Sequence, residues 1–229
     1  MGDAAKIGKK AAGEYAAGLV KQGMSVGLGT GSTVYFTLLK LGEMVREGLD
    51  IRGIPTSEQT AKIAQEQGIT LVDFQTCDHL DLTIDGADEV DAQLNLIKGG
   101  GGALYREKMV ASISDYLAIV ADASKISKVL GSFALPVEIV PFGHELTYKR
   151  IQALGVTPEL RTTGGYTYLT DNGNFILDCP FNPIENSGEL HHTLKLLPGV
   201  VETGFFIGMA KEVIVGKADG EVEVIRVSD

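Results

Sequence analysis

Short apolar segments alternate with helical stretches along the first half of the chain, and each apolar segment leads into a polar or glycine-rich turn. The segments at residues 25–28, 51–54, 80–84 and 116–121 have the length of strands. Parallel neighbours need crossover connections, and helical crossovers cover both faces of a sheet. The alternation therefore predicts an α/β fold with a doubly wound, mostly parallel, Rossmann-like sheet.

Two helical details follow from residue spacing. Ile7, Ala11, Tyr15 and Leu19 recur every four residues, which predicts an amphipathic helix with these side chains on one face and lysines on the other. Thr56 and Gln59 have the spacing of a capping box, so we expect Thr56 to begin a helix that is closed by Gly68.

The pattern changes after about residue 130. Strands at residues 136–140, 157–161 and 200–206, helices at 144–154 and 188–197, and a hairpin turning at 171–173 resemble a ferredoxin-like α+β unit. Residues 212–216 and 222–227 predict a hairpin that rejoins the first sheet. We therefore expect a main α/β domain of residues 1–130 plus 204–229, and a small α+β domain of residues 131–203.

The composition of the chain limits the classes of molecule that it could bind and the cell compartment in which we expect it. The chain of 229 residues carries a formal net charge of -10, which disfavours nucleic acid or an anionic membrane as the main partner. The two cysteines belong to no metal-binding or disulfide pattern. Charged residues interrupt the first 20 positions, so we expect no signal peptide and a cytoplasmic location.

Four turns follow apolar strands, at residues 29–33, 56–58, 85–88 and 122–125. The carboxyl ends of parallel strands meet at one edge of an open α/β sheet, where ligands bind. The segment GLGTGST, residues 27–33, offers backbone N–H groups and hydroxyls at the start of a helix, which favours phosphate. The glycines of this segment lack the spacing of a dinucleotide-binding fingerprint, and no Gly-Lys-Ser/Thr follows them. A phosphate-binding turn and an ordinary tight turn are equally good interpretations of the segment.

Two further segments carry chemistry. DGADEVD, residues 85–91, crowds four carboxylates without the order of a calcium loop; a solvated acidic turn and a magnesium site stay open. KGGGGALYREK, residues 98–108, sets Lys98 beside four glycines and then begins a helix that carries Glu107. Glycines at this position favour close approach of the backbone to a ligand over a flexible linker.

These parts suit the conversion of a phosphorylated aldose to the ketose, in which a carbonyl moves between C1 and C2. That reaction needs one base, donors for the developing oxyanion and a clamp on the phosphate. GLGTGST, TSEQT, DGADEVD, KGGGGALYREK and ADASK occur in an order and spacing that resemble type A ribose-5-phosphate isomerase. DNGN and LPGVV extend the resemblance over nearly the whole chain.

The resemblance implies an aldose-ketose isomerase of the non-oxidative pentose phosphate pathway that works through an enediolate. It implies that Glu107 is the general base, and that the substrate is bound by the following residues: Thr30, Gly31, Ser32, Thr33, Asp85, Gly86, Ala87, Asp88, Lys98, Gly99, Gly100, Gly101 and Lys125. Lys9 is a weaker addition to the phosphate clamp, because Lys10 adjoins it. The family uses no metal or organic cofactor, and its members are homodimers or homotetramers.

Two other classes of protein share parts of this pattern. A nicotinamide-dependent oxidoreductase would need the dinucleotide fingerprint and an acidic residue after the second strand, whereas Asp50 precedes that strand. A non-catalytic sugar-phosphate sensor would need a helix-turn-helix module and would lack a base at Glu107.

Overall fold

The computed structural model describes residues 3–226, so Val227 of the predicted last strand lies outside the described residues. The helices are α1 (Asp3–Ala17), α2 (Val34–Arg46), α3 (Glu58–Glu66), α4 (Leu104–Ser112), α5 (His144–Gln152) and α6 (Ser187–Lys195). The first eight strands are β1 (Ser25–Leu28), β2 (Arg52–Pro55), β3 (Thr70–Leu71), β4 (Leu82–Gly86), β5 (Glu89–Val90), β6 (Leu96–Ile97), β7 (Leu117–Asp122) and β8 (Leu135–Ile139). The other eight are β9 (Glu159–Leu160), β10 (Thr162–Thr163), β11 (Tyr166–Thr167), β12 (Phe175–Cys179), β13 (Val200–Thr203), β14 (Phe205–Phe206), β15 (Glu212–Gly216) and β16 (Val222–Arg226).

A seven-stranded sheet forms the centre of the molecule, in the order β16-β15-β7-β4-β1-β2-β3. Its strand pairs are parallel except for β15 with β16, which form the predicted hairpin. Strands β1, β7 and β15 are buried almost throughout because helices and small sheets cover them. The prediction of a doubly wound, mostly parallel sheet is confirmed, and the carboxyl ends of β1, β2, β4 and β7 meet at one edge.

Helix α1 packs through its smallest residues. Ala12 and Ala16 are fully buried, whereas Ile7 and Tyr15 of the predicted apolar face are 48% and 46% exposed. A Cβ on Gly8 would lie 2.7 Å from the carbonyl oxygen of Gly216 in β15, so the helix lies against the sheet too closely for large side chains. Periodicity predicted the helix, but the wrong face of it for the contact with the sheet.

The start of α3 differs from the predicted capping box. Ser57, not Thr56, is the N-cap, and its Oγ accepts a hydrogen bond from the N–H of Thr60 at 3.0 Å. Thr56 is fully buried, and its hydroxyl donates to the carbonyl oxygen of Leu28 at 3.1 Å. Thr56 therefore ties the end of β2 to the end of β1.

The segment DGADEVD is not one acidic turn. Asp85 ends the buried part of β4, whereas Glu89 lies in β5, which pairs with β6 in a three-stranded sheet completed by β14. The carboxylate of Glu89 accepts hydrogen bonds from the N–H groups of residues 131–133, and Asp91 accepts those of Gln93 and Asn95. Only Asp85 and Asp88 remain for the sheet edge.

The chain between residues 135 and 203, called here the small domain, forms an antiparallel sheet in the order β13-β8-β12-β9 with helices α5 and α6. Counted along the chain this is strand order 4-1-3-2, and the ferredoxin-like prediction is confirmed. The predicted hairpin needs correction, because the two paired short strands β10 and β11 turn at residues 164–165. The turn at residues 171–173 leads instead into β12, which pairs with β8 and β9. Among residues 3–226, no helix has the length and apolar character needed to cross a bilayer.

Candidate active site

A cavity of about 120 Å³ opens at this sheet edge, at the carboxyl ends of β1, β4 and β7, whereas the predicted turn at residues 56–58 does not line it. It is lined by Lys9, Thr30, Gly31, Ser32, Thr33, Gly86, Ala87, Asp88, Lys98, Gly99, Gly101, Glu107, Val120, Ala121 and Lys125. Residues from five separate segments of the sequence thus share one small space. Of the residues predicted to form the site, only Asp85 and Gly100 do not line the cavity, and both bond to residues that do.

Lys98 lies at the centre of the polar groups and is only 2% exposed. Its Nζ is 3.0 Å from Oδ2 of Asp85 and 3.1 Å from Oε1 of Glu107, and it also donates to the carbonyl oxygen of Gly86. Glu107 comes from the first turn of α4, where the helix follows the glycine run directly. Two carboxylates therefore share one buried ammonium group.

Burial raises the pKa of both carboxyl groups, and the charge of Asp85 adds to the shift at Glu107. Burial, followed by the charge of Asp85, raises the pKa of Glu107 to about 8, although Lys98 opposes the shift. Burial likewise raises the pKa of Asp85 against the effect of Lys98. Burial acts to lower the pKa of Lys98, but Asp85 and Glu107 outweigh it and the net shift is upward. Lys98 consequently stays charged while Glu107 titrates near neutral pH.

Backbone N–H groups hold the two aspartates of the site. Oδ1 of Asp85 accepts from the N–H groups of Thr30 at 3.0 Å and Gly86 at 2.7 Å. Oδ2 of Asp88 accepts from the N–H of Gly100 at 2.7 Å. A Cβ on Gly100 would lie 2.5 Å from Oδ1 of Asp88, so a larger residue there would displace this carboxylate.

The turn between β1 and α2 forms the opposite wall. Lys9 of α1 donates to Oγ of Ser32 at 3.0 Å and lies 3.8 Å from Asp122. The hydroxyl of Thr30 lies 2.7 Å from that of Thr56 and 2.9 Å from that of Ser57, so it braces the turn. Lys125 lies beyond the end of β7. Lys9, Lys125 and the N-terminus of α2 all line this cavity, which suits an anion.

A larger cavity of about 390 Å³ lies on the other side of the same turn. Its lining includes Tyr35, Phe36, Leu38 and Ile63 and no carboxylate. A carboxylate base for the carbonyl chemistry is therefore found in the smaller cavity, where Glu107 and Asp88 are part of the lining.

Three side chains that were not singled out in the sequence also contact the site. Arg161 and Tyr168 of the small domain donate to carbonyl oxygens of the glycine run, and Arg106 pairs with Asp171 at 3.3 Å. Arg106 adjoins Glu107 in the segment KGGGGALYREK, whereas the neighbourhoods of Arg161 and Tyr168 carry no catalytic pattern and DNGN is the one signal near them. Among the described residues no group of three or more His, Cys, Asp or Glu side chains is arranged to hold a metal ion.

The chain is similar to known isomerases over most of its length. A sequence model of ribose 5-phosphate isomerase A (phosphoriboisomerase A) matches residues 52–220. A protein of Bacillus mycoides strain KBAB4 named ribose-5-phosphate isomerase A is 53% identical over 213 residues, which cover 93% of this chain and 96% of that protein. The structure of ribose 5-phosphate isomerase from Plasmodium falciparum has a TM-score of 0.93 and 38% identity, covering 96% of this chain and 98% of its own. A structure of D-ribose-5-phosphate isomerase in complex with phospho-erythronic acid has a TM-score of 0.92 and 35% identity, covering 96% and 97% of the two chains.

Proposed function

The chain belongs to the ribose 5-phosphate isomerase A family, and we propose that Glu107 is the base through which it moves a proton between C1 and C2 of its substrate. It is an isomerase that interconverts ribose 5-phosphate and ribulose 5-phosphate. Neither an oxidoreductase using nicotinamide nor a non-catalytic sensor agrees with this family.

One observation carries the proposal for Glu107. Its Oε1 is 3.1 Å from the Nζ of Lys98, whereas its buried Oε2 accepts no hydrogen bond from any residue between 3 and 226. Glu107 also lines the cavity. A pKa raised to about 8 makes this carboxylate a stronger base than an exposed glutamate and leaves part of it ionised at neutral pH. The free oxygen is therefore available to a carbon-bound proton.

In the proposed reaction, Glu107 carries one proton from C2 to C1 of the substrate. The carboxylate of Glu107 removes the proton from C2 of the open-chain aldose, and the electron pair of that C–H bond forms the C1–C2 double bond of an enediolate. The carbonyl electrons of C1 move onto its oxygen, and that oxygen takes the hydroxyl proton from the oxygen on C2. The protonated Glu107 then returns its proton to C1, the C1–C2 double bond becomes single, and the oxygen on C2 becomes the carbonyl. The charged Nζ of Lys98 and the N–H groups of Gly99 and Gly101 are proposed to stabilise the negative oxygen between these steps, while the N–H of Gly100 holds Asp88.

The other residues hold the ends of the sugar. Asp85, Gly86, Ala87 and Asp88 are proposed to bind sugar hydroxyls, and the two aspartates to assist ring opening. The phosphate is proposed to lie against Thr30, Gly31, Ser32, Thr33 and Lys125, with Lys9 as an additional contact. The positive end of α2 and the lysines favour that position in a chain whose net charge is -10.

Three further expectations from the sequence remain proposals. These are the division into residues 1–130 plus 204–229 and 131–203, the assembly into a homodimer or homotetramer, and the cytoplasmic location. The pairing of β14 with β6 supports the return of the chain to the main domain near residue 204. Sedimentation velocity of the purified protein would measure the number of subunits.

Two measurements test the function. Wild-type protein incubated with ribose 5-phosphate in deuterated water should form ribulose 5-phosphate that carries deuterium on C1. Absence of the ketose would contradict the activity. Glu107→Gln should lower kcat about 10²- to 10⁴-fold, the usual contribution of a general base, with a smaller change in KM. The exposed Glu66 of α3 supplies the control Glu66→Gln, and near-normal turnover of Glu107→Gln would remove Glu107 from this role.

A further inference from the structure

The glycine loop, residues 99–102, is held by the small domain through its carbonyl oxygens. Nη1 of Arg161 donates to the carbonyl oxygens of Gly99 at 2.8 Å and Gly100 at 3.3 Å. The hydroxyl of Tyr168 donates to the carbonyl oxygen of Gly101 at 3.3 Å. Three consecutive carbonyls of the loop thus accept hydrogen bonds from one side.

This arrangement determines where the N–H groups of the loop point. In a planar trans peptide, the N–H of one residue points opposite to the carbonyl of the residue before it. The N–H groups of Gly100 and Gly101 therefore point away from Arg161. That of Gly100 donates to Asp88 at 2.7 Å, and Gly101 lines the cavity beside Glu107. Holding the carbonyls on the small domain directs the donors into the site.

Arg161 is itself rigidly placed. Its backbone N–H donates to the carbonyl oxygen of Ile176 at 2.9 Å, and its carbonyl oxygen accepts from the N–H of Tyr168 at 2.9 Å. Asp178 of β12 binds the guanidinium through both carboxylate oxygens, and the side chain is only 14% exposed. The guanidinium also lies 5.8 Å from the ring centre of Tyr168. Lysine could not make these bonds together, because it lacks the planar fork.

We propose that Arg161 is a positioning residue for the isomerisation, which holds the glycine loop so that the N–H of Gly101 faces the oxygen on which charge develops while the N–H of Gly100 stays on Asp88. The proposal depends on the proposed function of the loop. Loss of Arg161 removes two hydrogen bonds from the loop and the ion pair of Asp178, but it removes no group that is proposed to contact the phosphate or to transfer the proton. The loss should therefore affect the transition state more than substrate binding.

The test compares Arg161→Met with Arg150→Met. Arg150 of α5 also donates to a backbone carbonyl in the small domain, that of Pro198 at 3.2 Å, but lies away from the glycine loop. Arg161→Met should lower kcat about 10- to 100-fold, the cost of misplacing catalytic groups by about an ångström, with KM within about threefold. Hydrogen exchange of the amides of residues 99–102 should become faster in this variant alone. The inhibition constant of inorganic phosphate should not change.

Tyr168→Phe is a second variant that tests the same positioning of the glycine loop if Arg161→Met folds poorly. It removes only the hydroxyl bond to Gly101, and we expect a kcat several-fold lower and faster amide exchange at residues 99–102. Wild-type kcat in the folded variants, or equal exchange in Arg150→Met and Arg161→Met, would overturn the positioning role. A failure of the proposed function has a different signature, since Glu107→Gln would then keep its turnover whatever the Arg161 series shows.

Discussion

Replacement of Asp85 by Asn should lower the pKa of Glu107 and so extend catalysis to lower pH. Both carboxylates lie about 3 Å from the same Nζ of Lys98, at 3.0 and 3.1 Å, so these oxygens are at most about 6 Å apart. The charge of Asp85 is, after burial, the main reason that the pKa of Glu107 is raised. Asn keeps the shape of Asp85 and removes that charge.

Coulomb's law gives the size of the expected change in the pKa of Glu107. Two unit charges about 6 Å apart at an effective dielectric constant of about 20 interact by about 2.8 kcal/mol, which corresponds to about 2 pKa units. The wild-type pKa of Glu107 is about 8, so that of Asp85→Asn should fall to about 6. Because Glu107 must be ionised to accept a proton, kcat/KM should reach its plateau at a correspondingly lower pH.

The assay is the pH dependence of kcat/KM for ribose 5-phosphate, measured from pH 5 to 10 in about 0.1 M salt. A phosphate monoester has its own pKa near 6, so the same profile for wild type separates the titration of the substrate from that of Glu107. The test uses only the pH at which kcat/KM falls on the acid side of the profile, called the acid limb, so a lower maximum rate in the variant does not obscure the result.

Asp88→Asn is the matched control, because the charge of Asp88 is a smaller cause of the raised pKa of Glu107. It should move the limb less than Asp85→Asn. If the acid limb of the kcat/KM profile of Asp85→Asn stays in place or moves to higher pH, the charge of Asp85 does not raise the pKa of Glu107 and the reasoning is refuted.

The remaining predictions concern the phosphate, metals and stability. Lys125→Ala should raise KM about tenfold with little change in kcat, whereas the exposed Lys128→Ala in the same segment should not; equal KM values in initial-rate assays would count against the clamp. Activity should survive dialysis against EDTA, and a loss that magnesium restores would reassign Asp85 and Asp88 as metal ligands. The pKa of Glu107 is raised from 4.5 to about 8, so the folded state binds an extra proton between these values and loses stability as pH rises through that window. Urea denaturation at pH 6 and pH 8.5 should show a smaller loss for Glu107→Gln than for wild type, and identical losses would show that Glu107 does not carry the linkage.

Local signals were enough to predict much of the fold. The predicted bounds of β1 and β15 agree with the structure, because turn residues flank each of these apolar runs. The prediction failed where packing overrides pattern. The buried face of α1 consists of glycine and alanine, which carry little hydrophobic signal, and the capping role went to Ser57 because Thr56 is needed to bond Leu28.

The acidic segment shows the same limit within the site. Asp85 and Glu89 look equivalent in sequence, and both are buried, at 1% and 2% exposure. Asp85 meets Lys98, whereas Glu89 meets the backbone N–H groups of residues 131–133. Their different partners come from distant segments, so no local pattern could assign their roles.

The amino-acid sequence by itself determined the order of strands and helices, the turns that meet at one sheet edge, and the family motifs that carry Glu107 and Lys98. These properties depend on residues close together in the chain. The tertiary structure alone decided that one buried ammonium serves two carboxylates, and that Arg161 of the small domain holds the glycine loop. Both arise from contacts between distant segments in a space that excludes water, where burial makes each charge and each hydrogen bond depend on its neighbours.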